Sequence, residues 1–293
     1  MTPLDYEYLR KFLKDRSGLD LSSDKQYLVE SRLIPVARKV GLSGISDLVA
    51  RMRAGSEETI STVVEAMTTN ETFFFRDKIP FDHLRETILP ALLRARANRR
   101  TLRIWSAASS SGQEPYSIAM CLKEYGAALN GWRIEIVATD ISQGVLEKSK
   151  AGIFSQFEVQ RGLPIQLLVK YFRQIGDMWQ LNPDIRAMVQ HKQLNLLHDI
   201  SHLGMFDVVF CRNVMIYFDQ ITKVGVFKRL ARVMERDGFL ALGAAETVVG
   251  LTDVFRPYPE RRGLYSPNPL HAAPSIVPAS VPFLQSGVAS PRR

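Results

Sequence analysis

A chain of 293 residues, 46% hydrophobic and 23% charged, can form one large domain or two of ordinary size, and its composition is that of a soluble globular protein. The net charge of +8 is spread thinly, with zero over residues 1–80 and +3 over each of 81–150 and 151–263. No segment shows the dense Lys/Arg stripe with interleaved aromatics of a nucleic-acid binder, although a basic excess favours acidic partners. Cys121 and Cys211 sit in apolar segments without partner spacing and are expected to be reduced core residues, as in a cytoplasmic protein. The charged N-terminus lacks the apolar centre of a signal peptide, and no run approaches the roughly 18 apolar residues of a membrane span.

Residues 1–72 read as a small all-helical domain. Apolar positions Tyr8, Phe12 and Leu13 mark one helix, Leu28, Leu33, Val36 and Val40 a second, and Leu48, Val49 and Met52 a third, with "GLSG" and "AGSEE" as breaks. From Thr101 short apolar strands ("LRIWSAA", "RIEIVATD", "FDVVFCRN", "GFLALGAAE") alternate with amphipathic helices. That alternation predicts an α/β, doubly wound, mostly parallel (Rossmann-like) sheet over residues 73–265, with its ligand beyond the carboxyl ends of the strands. Residues 152–193 are too long for one crossover; the runs "MWQL" and "AMVQH" suggest strands of an inserted small β-subdomain. From Ser266 the Pro/Ala/Ser-rich sequence predicts a disordered tail or linker over 266–293.

The first strand runs into "WSAASSSGQEPYS", a turn stripped of bulk and then given an acid, Glu114, at the start of a helix. A tight solvated turn would explain it, and so would a ligand lying against the backbone. The second strand ends at Asp140, which could cap the next helix or accept hydrogen bonds from ribose hydroxyls. No G-x-G-x-x-G or P-loop pattern occurs, and Glu114 would repel a phosphate. S-adenosylmethionine, with its ammonium and sulfonium, suits such a site better than a nicotinamide cofactor.

Together "TTNETFFFRD", "SAASSSGQEPYSIAM", "ATDIS…VLEKSKAGIFS", "LNLL" and "FDVVFCRNVMIYFD" resemble, in order and spacing, the chemotaxis receptor glutamate methyltransferases, the CheR family, over about residues 5–266. The resemblance implies an N-terminal helical domain and a methyltransferase domain binding S-adenosylmethionine, with a β-subdomain inserted in it. It also implies methyl transfer to glutamate carboxylates of chemoreceptors, giving S-adenosylhomocysteine, with no metal. Carried over by position, it places Asn70, Thr72 and Arg76 beside the cofactor and Arg76 near the reacting carboxylate. Glu114 is set at the amino group, Asp140 at the ribose, Asn195 and Leu196 at the adenine, and Arg212 and Asn213 at the methionine end. Tyr217 is expected to orient the substrate. Each has a plainer alternative: Asn70 and Thr72 as caps, Leu196, Tyr217 and the "FFF" run as packing, Arg212 as a surface arginine.

Two positions depart from the family pattern: Gln113 stands where a second acid is common, and Pro35 and Val36 fill positions often basic, leaving Arg32, Arg38 and Lys39 to dock the acidic receptor helix. The turn in "YFRQIGDMWQL", with its single Gly176, leaves no room for the loop extension of members that tether to a receptor C-terminal pentapeptide, so recognition independent of that tether, by a monomer, is expected. Other functions compatible with this fold are a module sensing S-adenosylmethionine or a nucleotide, and a methyltransferase acting on RNA or a small molecule.

Overall fold

The computed structural model describes residues 1–271. Four helices form the N-terminal part: α1 (Pro3–Ser17), α2 (Gln26–Lys39), α3 (Ile45–Arg53) and α4 (Glu57–Met67). Thr2 and Asp5 cap α1 reciprocally, side chain to backbone, at 3.1 and 3.2 Å. Leu9, Leu13, Val29, Leu33, Leu48, Val63 and Met67 build a core of their own between these helices. The fourth helix was not expected. "AGSEE" does break the chain at Gly55, but Ser56 then caps a new helix by accepting from the Thr59 amide, with Glu57 and Glu58 in its first turn. Val40, expected on the apolar face of α2, is exposed.

A rod of α5 (Ile79–His83), a π-turn (Leu84–Ile88) and α6 (Leu89–Ala95) leads into the α/β part. There β1 (Thr101–Ala107), α7 (Gln113–Glu124), β2 (Arg133–Asp140) and α8 (Gln143–Ala151) follow in order. An inserted three-stranded antiparallel sheet comprises β3 (Ile153–Ser155), β4 (Phe172–Ile175) and β5 (Met178–Leu181), in the order β3-β5-β4. Helices α9 (Gln156–Gln160), α10 (Ile165–Tyr171) and α11 (Pro183–Arg186) surround it. The chain re-enters the main sheet with β6 (Val189–Gln193), then β7 (Phe206–Cys211), α12 (Gln220–Arg232), β8 (Met234–Leu242), β9 (Phe255–Pro257) and β10 (Leu264–Pro267).

The main sheet has the order β6-β2-β1-β7-β8-β10-β9, parallel from β6 to β8, with β10 and β9 antiparallel. Alternate residues of its central strands feed two cores. Ile104, Ile136, Ala138, Val208, Phe210 and Ala241 face one, with α7 and the inserted subdomain. Trp105, Val137, Val209, Cys211, Leu240 and Leu242 face the other, with α12. Burial on both faces explains the nearly continuous apolar runs of these strands. Cys121 and Cys211 are free and buried.

Two expectations need correction. The run "AMVQH" does not belong to the inserted subdomain, because Val189–Gln193 pairs in parallel with β2 at the edge of the main sheet, so the small sheet closes at Leu181. Ser266 and Pro267 lie within β10 and Pro269–His271 form a 3-10 turn rather than a tail; the rest of the expected tail, 272–293, lies outside the described residues.

His191 on β6 bonds Ser149 on α8 (Nε2 to Oγ, 2.7 Å), and burial pushes its pKa down from 6.5 to about 4. Unfolded chains therefore bind a proton here that the folded protein does not, and stability falls as pH drops from about 6.5 toward 4. Replacing His191 with Gln should flatten that part of the stability–pH curve, measured by urea unfolding at several pH values; an unaltered slope would show that His191 does not titrate this way.

Candidate functional site

A cleft of about 1030 Å³, open mouth included, lies where the carboxyl ends of β1, β2 and β7 meet the helical domain. The β1–α7 turn forms its floor. Ala108, Ser110 and Gly112 all adopt positive φ (56°, 49° and 95°), a conformation that only the glycine takes without strain. A Cβ at Gly112 would come within 2.1 Å of Ser149 Oγ. The lack of bulk thus has a local cause, and it also leaves the backbone bare to the cleft.

Asp140, at the end of β2, does not cap α8; Ser142 does, accepting from the Val145 amide. Instead the two Asp140 carboxylate oxygens accept from the Ser110 amide at 2.8 Å and the Ser142 amide at 3.0 Å, tying the two strand ends together. Burial raises its pKa, opposed by these backbone donors. Glu114 accepts from Ser106 Oγ and from Arg212 Nη1, both at 2.8 Å. Arg212 also donates through Nη2 to the Arg76 carbonyl and to Asp77, both at 2.7 Å, so it is no surface arginine. Two buried polar atoms of the cleft, Ser109 Oγ and Arg212 Nε, have no protein partner.

Next to Arg212, Asn213 adopts φ 58°. The strained turn is held from beneath by Glu246, beyond the end of β8, whose oxygens accept from the backbone amides of Asn213, Val214, Met215 and Gly243 at 2.7–2.9 Å. Sequence inspection missed Glu246, although it stands in "GFLALGAAE" at a strand's carboxyl end much as Asp140 does. It also missed Glu65 on α4, which crosses the domain boundary to accept from Ser142 Oγ and the Gly144 amide.

Asn70, Thr72, Arg76, Glu114, Asp140, Asn195, Leu196, Arg212, Asn213 and Tyr217 all line the cleft. No helix follows Thr72 until Ile79, so the caps considered for Asn70 and Thr72 do not exist. Leu196 is both core and lining. The Asn195 amide holds the helical domain, donating to the Arg16 carbonyl at 2.7 Å, and the Tyr217 carbonyl accepts from the Asp20 amide at 2.9 Å. Phe74 packs edge-on against Phe154 and Phe172 and serves as core. Gln113 is buried and accepts from Ser111 Oγ. Arg38 and Lys39 are exposed, whereas Arg32 bonds the carbonyls of Met67 and Thr68 and the hydroxyl of Thr69, joining the helical domain to the connecting segment.

Comparison with known proteins decides what this cleft belongs to. Residues 4–68 match the all-alpha domain of the CheR methyltransferases, and residues 70–264 match their SAM-binding domain. The chain belongs to the CheR methyltransferase family. It is 42% identical over 256 residues to chemotaxis protein methyltransferase 1 of Pseudomonas aeruginosa, covering 86% of this chain and 93% of that one. It is 41% identical to chemotaxis protein methyltransferase Cher2 of Pseudomonas putida, over 86% and 94% of the two chains. Identity to the chemotaxis protein methyltransferase of Borreliella burgdorferi is 36%, over 83% and 87%. The α/β part is accordingly a SAM-binding methyltransferase domain. No helix among the described residues is long and apolar enough to cross a membrane.

Two substitutions test the geometry. Asp140→Ala tests the expected ribose contact: S-adenosylmethionine and S-adenosylhomocysteine, which carry the same ribose, should both bind more weakly, by at most about 1.5–3 kcal/mol per lost charge-assisted bond; affinities unchanged from the wild-type chain in calorimetry would remove Asp140 from the site. Glu246→Gln keeps one acceptor oxygen and leaves two of the four amides without theirs, at about 1–3 kcal/mol each. Cofactor affinity should fall tenfold or more; a lower melting temperature with unchanged affinity would show that Glu246 supports only the fold.

Proposed function

We propose that this chain transfers the methyl group of S-adenosylmethionine to glutamate side chains of the cytoplasmic helices of chemoreceptors, forming glutamyl methyl esters in sensory adaptation. One observation carries the substrate class. Among the described residues the cleft lining contains no histidine, lysine or cysteine, its buried carboxylates are occupied by Arg212 or backbone amides, and the half-buried Arg76 stands nearer its mouth. An amine or hydroxyl nucleophile would call for a base able to take a proton near neutral pH. A glutamate with a pKa of about 4.3 is already ionised and calls for none.

The residues present suit the cofactor. Glu114 with Arg212 offers paired charges to the ammonium and carboxylate of its methionine end, Asp140 an acceptor to the ribose, and Leu196 with Ile141 an apolar wall to the adenine. When bound, S-adenosylmethionine supplies a methyl group on a sulfonium that a carboxylate oxygen can accept. Arg76 orients that carboxylate, and Tyr217 helps exclude water and hold the acceptor in line. Alignment of this kind can contribute up to roughly 7–11 kcal/mol. Neutralisation of carboxylate against sulfonium makes a dry cleft favourable.

The protein acts as a cytoplasmic monomer and needs no metal. Its acidic receptor helix meets Arg38 and Lys39 on α2, with Arg32 at the margin. Exposed charges of this sort are screened beyond roughly 8–10 Å at ordinary ionic strength, so docking weakens with salt. The β4–β5 hairpin turns in two residues, Gly176 and Asp177, which favours recognition without a C-terminal tether.

Labelled methyl groups should enter a receptor cytoplasmic fragment and be released by mild base, and the saturated single-turnover rate should stay flat between pH 6 and 8. A steep rise over that range, or base-stable label, would point to an amine or hydroxyl acceptor. A receptor C-terminal pentapeptide should show no binding in titrations; micromolar binding at residues 152–186 would overturn tether-independent recognition.

A further inference from the structure

The inserted subdomain meets the cleft-lining residue Glu71 through Arg161. Its Arg161–Gly162 turn is pressed onto the segment between the domains so closely that a Cβ on Gly162, at φ 84°, would come within 2.0 Å of the Phe74 carbonyl. That contact fixes Arg161, whose guanidinium lies over the Phe73 ring, 4.4 Å from its centre. The Arg76 guanidinium lies over the same ring at 5.5 Å and donates to the Glu71 carbonyl at 2.8 Å. The carboxylate of Glu71, which lines the cleft, accepts from Arg161 Nη2 at 2.6 Å. Arg161 and then Arg76 hold the Glu71 carboxyl below its ordinary pKa.

We propose that Arg161, over Phe73 and beside Arg76, forms a seat for a second carboxylate of the acidic substrate helix, next to the glutamate that Arg76 orients, and that Glu71 fills this seat in the free protein as an internal competitor. The seat rests on the receptor-methylating function argued above, and it adds a substrate-selecting residue from the subdomain. Energetics permit the exchange. The Arg161–Glu71 pair is open to solvent, with side chains 40% and 56% exposed, and exposed pairs of that kind are weak. A substrate carboxylate delivered next to the target glutamate at high local concentration can therefore replace Glu71 at little cost.

Steady-state methylation of a receptor cytoplasmic fragment by the full chain separates this role from a bracing one. Removing the competitor, Glu71→Gln, should lower KM for the fragment at least threefold. Removing the seat, Arg161→Ala, should raise it at least fivefold with kcat within twofold and cofactor affinity by calorimetry within twofold, and Arg161→Lys should recover part of the loss. In the double variant the gain from Glu71→Gln should vanish. If the pair merely braces the linker, both single changes shift KM and melting temperature in the same direction, and that result, or no change in KM, overturns the seat. Should Arg161→Ala fail to fold, the sign of the Glu71→Gln effect decides alone. A wild-type chain that methylates no receptor fragment overturns the functional proposal and the seat with it, whereas receptor methylation with KM insensitive to both residues overturns the seat only.

Discussion

The buried pair between Arg212 and Glu114 is the contact on which the site depends. Their side chains are 1% and 11% exposed, and the bonds of Arg212 join three pieces of chain: the end of β7, the start of α7, and the Arg76–Asp77 stretch of the connecting segment. A guanidinium so enclosed costs several kcal/mol to desolvate unless it is fully bonded. It thus requires all three pieces to be in place together, and the cleft exists only when they are. Removing either charge would strand the other, which makes the arrangement a constraint on the fold as much as a binding feature.

The same economy recurs at each strand end. Asp140 accepts amides from two loops, and Glu246 accepts amides from the turn after β7 and from the end of β8. Carboxylates are suited to this because each presents two oxygens with several acceptor positions, enough to satisfy amides that positive-φ turns leave unpaired. The strained backbone at Ser110 and Asn213 is therefore compensated by the acids that accept their amides. A consequence is that the floor of the cleft is acidic, which favours a cationic ligand and disfavours phosphate. The helical domain completes the enclosure through Lys14 to Asp219 at 2.8 Å and through the contacts of Arg16 and Asp20, so the two domains share one site rather than merely adjoining.

Much of this was legible in the chain because it is local. The stripped turn before Glu114, the acid at the end of "ATD" and the alternation of strand and helix need only short windows to be seen. What escaped depends on contacts distant in sequence. Glu246 acquires its function only because the chain folds back so that β8 lies beside β7, and Glu65 only because α4 meets α8. The edge strand Val189–Gln193 misled for another reason: only Val189 is buried, so "VQHKQ" lacks the apolar run of its neighbours and looks like part of the small sheet before it. Fold-wide electrostatic partners likewise leave no local trace; nothing in "CRN" says whether its arginine faces water or Glu114.

The split between buried and exposed charge also orders the chemistry. Charges at the floor of the cleft are enclosed and paired, hence little screened by salt and held in place before any ligand arrives. At the mouth, Arg76, Arg161 and Glu71 are partly or fully open to solvent, weakly paired and free to exchange partners. A site built this way holds its small ligand by preorganisation, which limits the entropy lost on binding. It meets a macromolecular partner through contacts that form and dissolve quickly, as screened surface charges do. Under the function proposed above, tight cofactor geometry with loose substrate contacts serves transfer, because strong holding of the acceptor helix would lower KM without accelerating the reaction.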